Sequence, residues 1–252
     1  ESLFFAIRTE RNDGHKYVTE LYSRGLRFFV ISNFQEGYEK LTDAVFLQVS
    51  DTLKALQKVA IAHRSAFKIP IIGITGSNGK TIVKEWLYQL LHFDVNVLRS
   101  PRSYNSQIGV PLSVWLLNEN NEIGIFEAGI SKPGEMEHLE KIIQPQIGIF
   151  TGLGDAHQEN FVSLKHKCEE KLLLFRNAEL LIYNSDNKLV DITVSQMYPD
   201  ISTLTWGKNK DAKIKVKERI IGNNATIIQL VYNKNEFTLN LPFTDDASFE
   251  NA

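Results

Sequence analysis

The densest chemical signal in the chain is the run Gly73-Ile74-Thr75-Gly76-Ser77-Asn78-Gly79-Lys80-Thr81. It follows an apolar stretch and opens an amphipathic one, the context that a phosphate-binding loop requires. Glycines at 76 and 79 let backbone N–H groups turn inward around phosphate oxygens, and the N-terminus of the following helix adds positive potential. On this reading Gly76, Ser77, Asn78, Gly79, Lys80 and Thr81 bind the phosphates of a nucleotide. Lys80 reaches the β- and γ-phosphates, and the Thr81 hydroxyl binds Mg²⁺. The usual pattern has its first glycine where this chain has Ile74. The bland alternative is a glycine-rich turn with an incidental lysine, and the loop alone says only nucleoside-triphosphate binding.

Three residues further on have chemistry that such a loop can use. Glu127 ends the run Ile123-Gly124-Ile125-Phe126, so its carboxylate stands at the tip of a predicted strand, where a parallel sheet places ligands and where it can hold Mg²⁺. A solvated strand-end glutamate is the alternative. His157 follows the next predicted strand and can reach the same crevice, although a histidine there more often serves as a hydrogen-bonding residue. Lys171 sits near the end of the helix after that and by itself reads as a surface lysine. Cys168 has no visible partner and reads as a helix residue, not a nucleophile.

The elements that must position these groups fall into two blocks. In the first, Leu3–Ile7, Leu26–Ile31 and Ala44–Val49 are compact apolar runs. Between the first two, Tyr17, Val18, Leu21 and Tyr22 fall at helical spacing, with Gly25 at the helix end. Ser50-Asp51 caps a helix drawn by Leu53, Leu56, Val59 and Ala60 and ending near Ala66. Pro70 marks a seam. Beyond it, predicted strands Ile71–Thr75, Val95–Leu98, Ile123–Glu127, Ile147–Thr151 and Leu180–Tyr183 alternate with helices Lys80–His92, Pro133–Ile143 and Leu164–Phe175, which reads as a parallel sheet covered on both faces. After Ser202 come short alternating runs, read as antiparallel strands appended to the sheet: Lys213–Lys217, Ile227–Tyr232 and Phe237–Leu241, with a turn at 233–235. The last residues open a helix with Ser248 as its cap. The expected fold class is therefore α/β: a small N-terminal α/β domain (1–67) and a phosphate-loop central domain (68–252) with a mostly parallel sheet. Both ends read as cut from a longer protein.

Composition bounds the class. With 28 basic and 30 acidic residues the formal net charge is −2. No broad grip on nucleic acid or an anionic membrane is expected, and the basic run 208–219 alternates as a solvated strand face does. No stretch of 18 apolar residues exists for a membrane-inserted helix. One cysteine in 252 residues rules out an internal disulfide and fits a reducing, cytoplasmic setting.

Several separated blocks in order carry a family resemblance: 73–81, Asn105-Ser106-Gln107-Ile108-Gly109-Val110-Pro111, Glu127-Ala128-Gly129 with Pro133-Gly134-Glu135, Ala156-His157-Gln158-Glu159-Asn160-Phe161, and Tyr183-Asn184-Ser185-Asp186-Asn187. The chain resembles the Mur ligases, ATP-dependent amide-forming enzymes of peptidoglycan synthesis. Within the family, Leu3–Ile7 followed by Glu10-Arg11-Asn12-Asp13-Gly14-His15 looks most like the member that joins D-alanyl-D-alanine to UDP-N-acetylmuramoyl-tripeptide. The member adding the third amino acid is the competing reading, and a different phosphate-loop NTPase or kinase stands behind it.

The resemblance implies ATP and Mg²⁺ as cofactors, with Thr81, Glu127 and His157 as metal ligands. It implies that Lys171 is carbamylated by CO₂ and so becomes an anion able to help hold a second Mg²⁺. Lys80, Lys171 and His157 are the implied catalytic residues. Arg11, Asp13, Gly14, His15 and Asn105 are the implied substrate contacts. Ser106, where a second Asn is usual, leaves the Asn105 assignment open. The family's third domain, which receives the incoming amine, has no counterpart before residue 252, so these residues alone are expected to bind nucleotide weakly and not to turn over. Some members carry a further fused enzyme beyond that point, on which this stretch is silent.

Overall fold

The computed structural model describes residues 2–9, 12–154 and 158–252. The first block forms a three-stranded parallel sheet of β1 (Leu3–Phe5), β2 (Phe28–Ile31) and β3 (Val45–Gln48), in that order. A 3-10 turn at Gly14–Tyr17 and α1 (Val18–Ser23) cover one face of it. Ala6, Val18, Phe29, Ile31 and Tyr38 make its core, and Gly25, with φ +98°, turns the chain out of α1. Helix α2 (Thr52–Ser65) is capped by Asp51, whose carboxylate accepts from the Lys54 N–H. By sequence α2 belongs to the first block, but its packing is shared. It lies against two helices of the second block, Gly109–Val114 and Glu135–Ile143, and sends Ala60 into the larger core.

That core surrounds a nine-stranded sheet of order β12-β11-β10-β9-β8-β7-β4-β6-β5. The strands are β4 (Ile71–Thr75), β5 (Val97–Arg99), β6 (Ile123–Glu127), β7 (Ile147–Phe150), β8 (Leu180–Asn184), β9 (Ser202–Gly207), β10 (Ile214–Ile221), β11 (Thr226–Tyr232) and β12 (Asn235–Leu241). The helices of this part are α3 (Lys80–Leu91), α4 (Gly109–Val114), α5 (Glu135–Ile143), α6 (Leu164–Leu172), α7 (Lys188–Met197) and α8 (Asp246–Asn251). Every residue of β4 is buried, because both faces are covered. Val83, Leu87 and Leu91 of α3 pack on Ile72, Ile74 and Ile125 on one side. Met136, Leu139 and Ile142 of α5 join Phe126, Phe175 and Leu181 on the other. Among the described residues no helix is long and apolar enough to cross a membrane.

The expected architecture is present with three differences. Helices α4 and α7 and strand β9 are additional; α4 has six residues including Pro111, too short a pattern to read. Strand β10 joins β9 in parallel, not antiparallel, and only the β10–β11 and β11–β12 pairings are antiparallel. The two parallel strands overlap only at Ile214↔Trp206 and Lys215↔Gly207. The chain therefore makes no return crossover; β10 simply carries on past the end of β9. The turn between β11 and β12 has Asn233 and Lys234 both at positive φ, the conformation that suits a two-residue hairpin. Finally, Asp245 and not Ser248 caps α8: its carboxylate accepts from the Ser248 N–H at 2.8 Å.

Candidate active site

Strand β4 pairs β6 on one side and β7 on the other, so the chain order reverses across it. This is the crevice in which an open α/β sheet binds ligands. The residues after β4 form the loop. A Cβ on Gly76 would sit 2.1 Å from Thr151 Oγ1, and Gly76 has φ +154°, so no larger residue fits there. Gly79, at φ +81°, is the N-cap of α3. Ser77 is tied to the neighbouring strand tip, its N–H donating to Gly152 O at 2.8 Å and its hydroxyl to Gly154 O at 3.1 Å. The carbonyl of Asn78 accepts from Thr151 Oγ1 at 2.5 Å. Lys80 Nζ donates to Gly76 O at 2.9 Å and Ser77 O at 3.3 Å. Burial lowers its pKa, opposed by the Glu127 carboxylate.

Glu127 is fully buried, and its Oε2 accepts from Thr81 Oγ1 at 2.8 Å. Its Oε1 has no hydrogen-bond partner and lies 3.7 Å from Lys84 Nζ. Burial raises the pKa of this carboxyl, against the Thr81 hydrogen bond and the charges of Lys84 and Lys80. The solvated-glutamate alternative is thereby removed.

Lys171 is also buried, and its Nζ donates to the same Gly76 carbonyl at 3.2 Å. Burial pushes its pKa down to about 7, helped by the charges of Lys80 and Lys167. The surface-lysine reading of Lys171 gives way for the same reason: α6 turns it inward beneath the loop. Lys167, one turn earlier, is buried as well and donates to Gly154 O at 2.5 Å. Cys168 is buried, and desolvation lifts its thiol to about 11, which fits a packing residue.

A cavity of about 400 Å³ opens between the two blocks, with Lys80, Lys171, Ser77, Asn105, Gln107 and Glu135 in its walls. Thr9 and Leu53 close it from the first block. Asn105 is held by its own backbone, which accepts from the Gly129 N–H at 2.8 Å. Gln57 of α2 donates to the Gln107 side chain at 3.0 Å, and Gln107 in turn donates to Glu135 O at 3.0 Å, so one chain of amides crosses the seam. Glu135 Oε2 accepts from the N–H groups of Ser131 and Lys132, fixing the loop after β6.

The oxygen donors of Thr81 and Glu127 suit Mg²⁺, a hard cation, and the unpaired buried Glu127 Oε1 is the kind of atom a metal would satisfy. An uncharged or protonated Lys171 amine is a poor ligand for it, whereas a carbamate oxygen is a good one. Among the described residues no cluster of three or more His, Cys, Asp or Glu comes together. His157 lies outside the described residues, as does Arg11.

The Asp13-Gly14-His15 block is packed inward. His15 is 1% exposed; its Nδ1 pairs with Asp13 Oδ1 at 2.6 Å and its Nε2 accepts from the Ser32 N–H at 3.0 Å. Because a backbone N–H can only donate, the ring carries its proton on Nδ1, and neither nitrogen is left for a ligand. A Cβ on Gly14 would lie 2.7 Å from Ile7 N. Gly14 and His15 therefore shape the loop between β1 and α1; only the Asp13 carboxylate is partly exposed, and it lies 3.8 Å from Arg8.

The sequence reading overlooked Lys84 and Lys167, both fully buried around the loop. The signal was spacing: each stands four residues from a lysine already singled out, Lys80 or Lys171, and so shares its helix face.

Comparison with known proteins agrees with this geometry. A family model described as the Mur ligase middle domain matches residues 74–252. A UDP-N-acetylmuramoyl-tripeptide–D-alanyl-D-alanine ligase of Borreliella burgdorferi is 36% identical over 195 residues, covering 74% of this chain and 42% of the relative. The Haemophilus influenzae ligase of the same name is 27% identical, covering 100% of this chain and 55% of the relative. This chain thus spans about half the length of such relatives. The MurF ligase of Thermotoga maritima, solved in complex with ADP, superposes with a TM-score of 0.85 at 25% identity, covering 98% of this chain and 56% of that one. The chain belongs to the Mur ligase family and carries its middle domain.

Proposed function

We propose that this chain is the nucleotide-binding part of an ATP-dependent ligase that joins D-alanyl-D-alanine to UDP-N-acetylmuramoyl-tripeptide, in the cytoplasm, where ATP and UDP-linked precursors are found. The observation that carries the reading is the meeting of Thr81, Glu127, Lys80 and Lys171 around one phosphate loop at the edge of a 400 Å³ cavity. Residues 1–67 would receive the UDP-sugar peptide and 68–252 the nucleotide.

The chemistry follows from charge. A peptide carboxylate must attack the γ-phosphorus of ATP; an O–P bond forms, the β–γ bridge breaks, and ADP departs. Two anions are thus brought together, and backbone N–H groups of 76–80 with Lys80 lower that cost. The dipeptide amine then attacks the acyl carbon, phosphate leaves with the C–O electron pair, and the nitrogen loses a proton. Mg²⁺, when bound, neutralises phosphate charge; Thr81, Glu127, His157 and a carbamate on Lys171 would hold it. An amine with a pKa near 7 is substantially unprotonated at neutral pH, the form that attacks CO₂. Asn105 would contact substrate from the cavity wall.

The test uses the protein in the full length its gene encodes, with Mg-ATP and bicarbonate. UDP-MurNAc-tripeptide is offered with D-alanyl-D-alanine, and UDP-MurNAc-dipeptide with single diamino acids, and the products are weighed. A pentapeptide from the first pair alone is expected, lost in Lys80→Ala. Product only from the second pair would assign the preceding step, and an unchanged rate in Lys80→Ala would remove the loop from the mechanism.

A further inference from the structure

Lys84 has no role in the reaction outlined above, yet it is one of the most enclosed side chains in the molecule. Burying an ammonium is costly unless it is closely partnered. Lys84 Nζ has four partners. It donates to Ser100 O at 2.8 Å and to Arg102 O, lies 3.2 Å from Glu85 Oε1, and faces Glu127 Oε1 at 3.7 Å. Glu85 is itself shared with Arg99, whose Nε donates to it at 2.9 Å.

Two features make this more than a buried ion pair. First, the Glu127 carboxylate is gripped unequally. Thr81 hydrogen-bonds one oxygen, while the other is only attracted across 3.7 Å and keeps its lone pairs open. A carboxylate so held is aimed and still available. Second, the carbonyls that Lys84 takes belong to the turn after β5. Arg102 in that turn has φ +48°, a left-handed conformation that the surroundings must enforce. The same turn brings Ser103 Oγ to 3.4 Å from Thr81 Oγ1 and leads directly into Asn105.

We infer that Lys84 is a positioning residue: from the first turns of α3 it holds the Glu127 carboxylate and the 100–103 turn in the arrangement that receives a metal–nucleotide complex, touching neither metal nor nucleotide itself. This rests on the metal-dependent nucleotide reading above. It differs from a purely structural role in what it predicts. Loss of a pillar loosens the phosphate loop and weakens every nucleotide, whereas loss of a positioning charge weakens only the part of binding that the metal adds.

Binding of a non-hydrolysable ATP analogue is measured calorimetrically with EDTA and again with Mn²⁺, for the wild-type protein, Lys84→Met and Lys84→Gln. In the wild type the metal should tighten binding. In Lys84→Met that gain should fall by about tenfold or more, the usual range for removing a partner of a metal ligand, while affinity in EDTA changes less than about twofold. Lys84→Gln keeps a donor for the Ser100 and Arg102 carbonyls without the charge, and should lose the metal gain too. Equal weakening with and without metal overturns the inference, as does an unchanged metal gain in both variants. So does failure of both to fold beside a normal Lys84→Arg, which would mark a pillar. Absence of any metal gain in the wild type would overturn the nucleotide reading itself, and the role of Lys84 with it.

Discussion

Four lysines crowd the phosphate loop, and burial weakens the hold of Lys171 on its proton. Its amine is enclosed by α6, and its neighbours Lys80 and Lys167 share its sign. With a folded pKa of about 7 against 10.5 for the ordinary side chain, the unfolded chain binds a proton that the folded chain does not throughout that interval. Stability therefore rises with pH across the window: the penalty is absent above the unfolded value and complete once pH falls below the folded one. Lys171→Met should be more stable than wild type by roughly 2–4 kcal/mol near pH 6, with the gain fading toward about pH 10. Urea midpoints across that range check it, and a pH-independent difference would contradict the assignment. The same substitution should abolish any CO₂-dependent activity, so stability and function pull in opposite directions at this residue.

At the scale of elements, α8 shows how a short segment is fixed from both ends. Trp86 of α3 stacks on Phe243 at 5.2 Å, and Arg219 of β10 lies over the Phe249 ring at 4.3 Å. These contacts bring Asn251 against the phosphate loop, where a Cβ on Gly79 would meet its Oδ1. The helix itself begins at the Asp245 cap. Asp245→Ala should cost about 1 kcal/mol of local stability, whereas Ser248→Ala, which keeps the donating N–H, should cost much less. Hydrogen exchange of the amides of 246–251 separates the two. Equal effects would mean that the serine hydroxyl caps the helix after all. The sequence pattern placed a helix here but misassigned its cap, because Asp245 and Ser248 are both good capping residues and only the backbone path decides which carboxylate or hydroxyl meets which N–H.

Across the whole molecule, α2 fastens the first block to the second. Thr52 Oγ1 donates to Ala6 O at 3.0 Å in the small unit, while Gln57 and His63 reach Gln107 and Leu117 O in the larger one. Arg64, 4% exposed, completes the join by donating to Ile143 O at 3.1 Å, Phe67 O at 2.7 Å and Gln144 O at 3.4 Å. It thus serves the carbonyls at the end of α5, next to Gln144 in the left-handed region. Arg64→Met should destabilise the protein by about 2–3 kcal/mol by leaving buried carbonyls unpaired. Arg64→Lys should recover little of it, since one ammonium cannot reproduce the planar fork. Denaturant midpoints decide; full rescue by lysine would mean that charge alone matters.

The sequence by itself determined the alternation of strands and helices, the phosphate loop and the strand-tip position of Glu127. These follow from local periodicity, glycine placement and loop chemistry, which act over a few residues. Tertiary structure alone decided what is inside. Lys84, Lys167 and Lys171 look like solvated helix lysines until the packing of α3 and α6 encloses them. His15 looks like a substrate contact until Asp13 and Ser32 take both its nitrogens. The parallel entry of β10 and the passage of α2 to the larger core are likewise invisible locally. Burial, and with it the proton affinity of a lysine or the availability of an imidazole, is set by residues distant in the chain, and no window of sequence contains them.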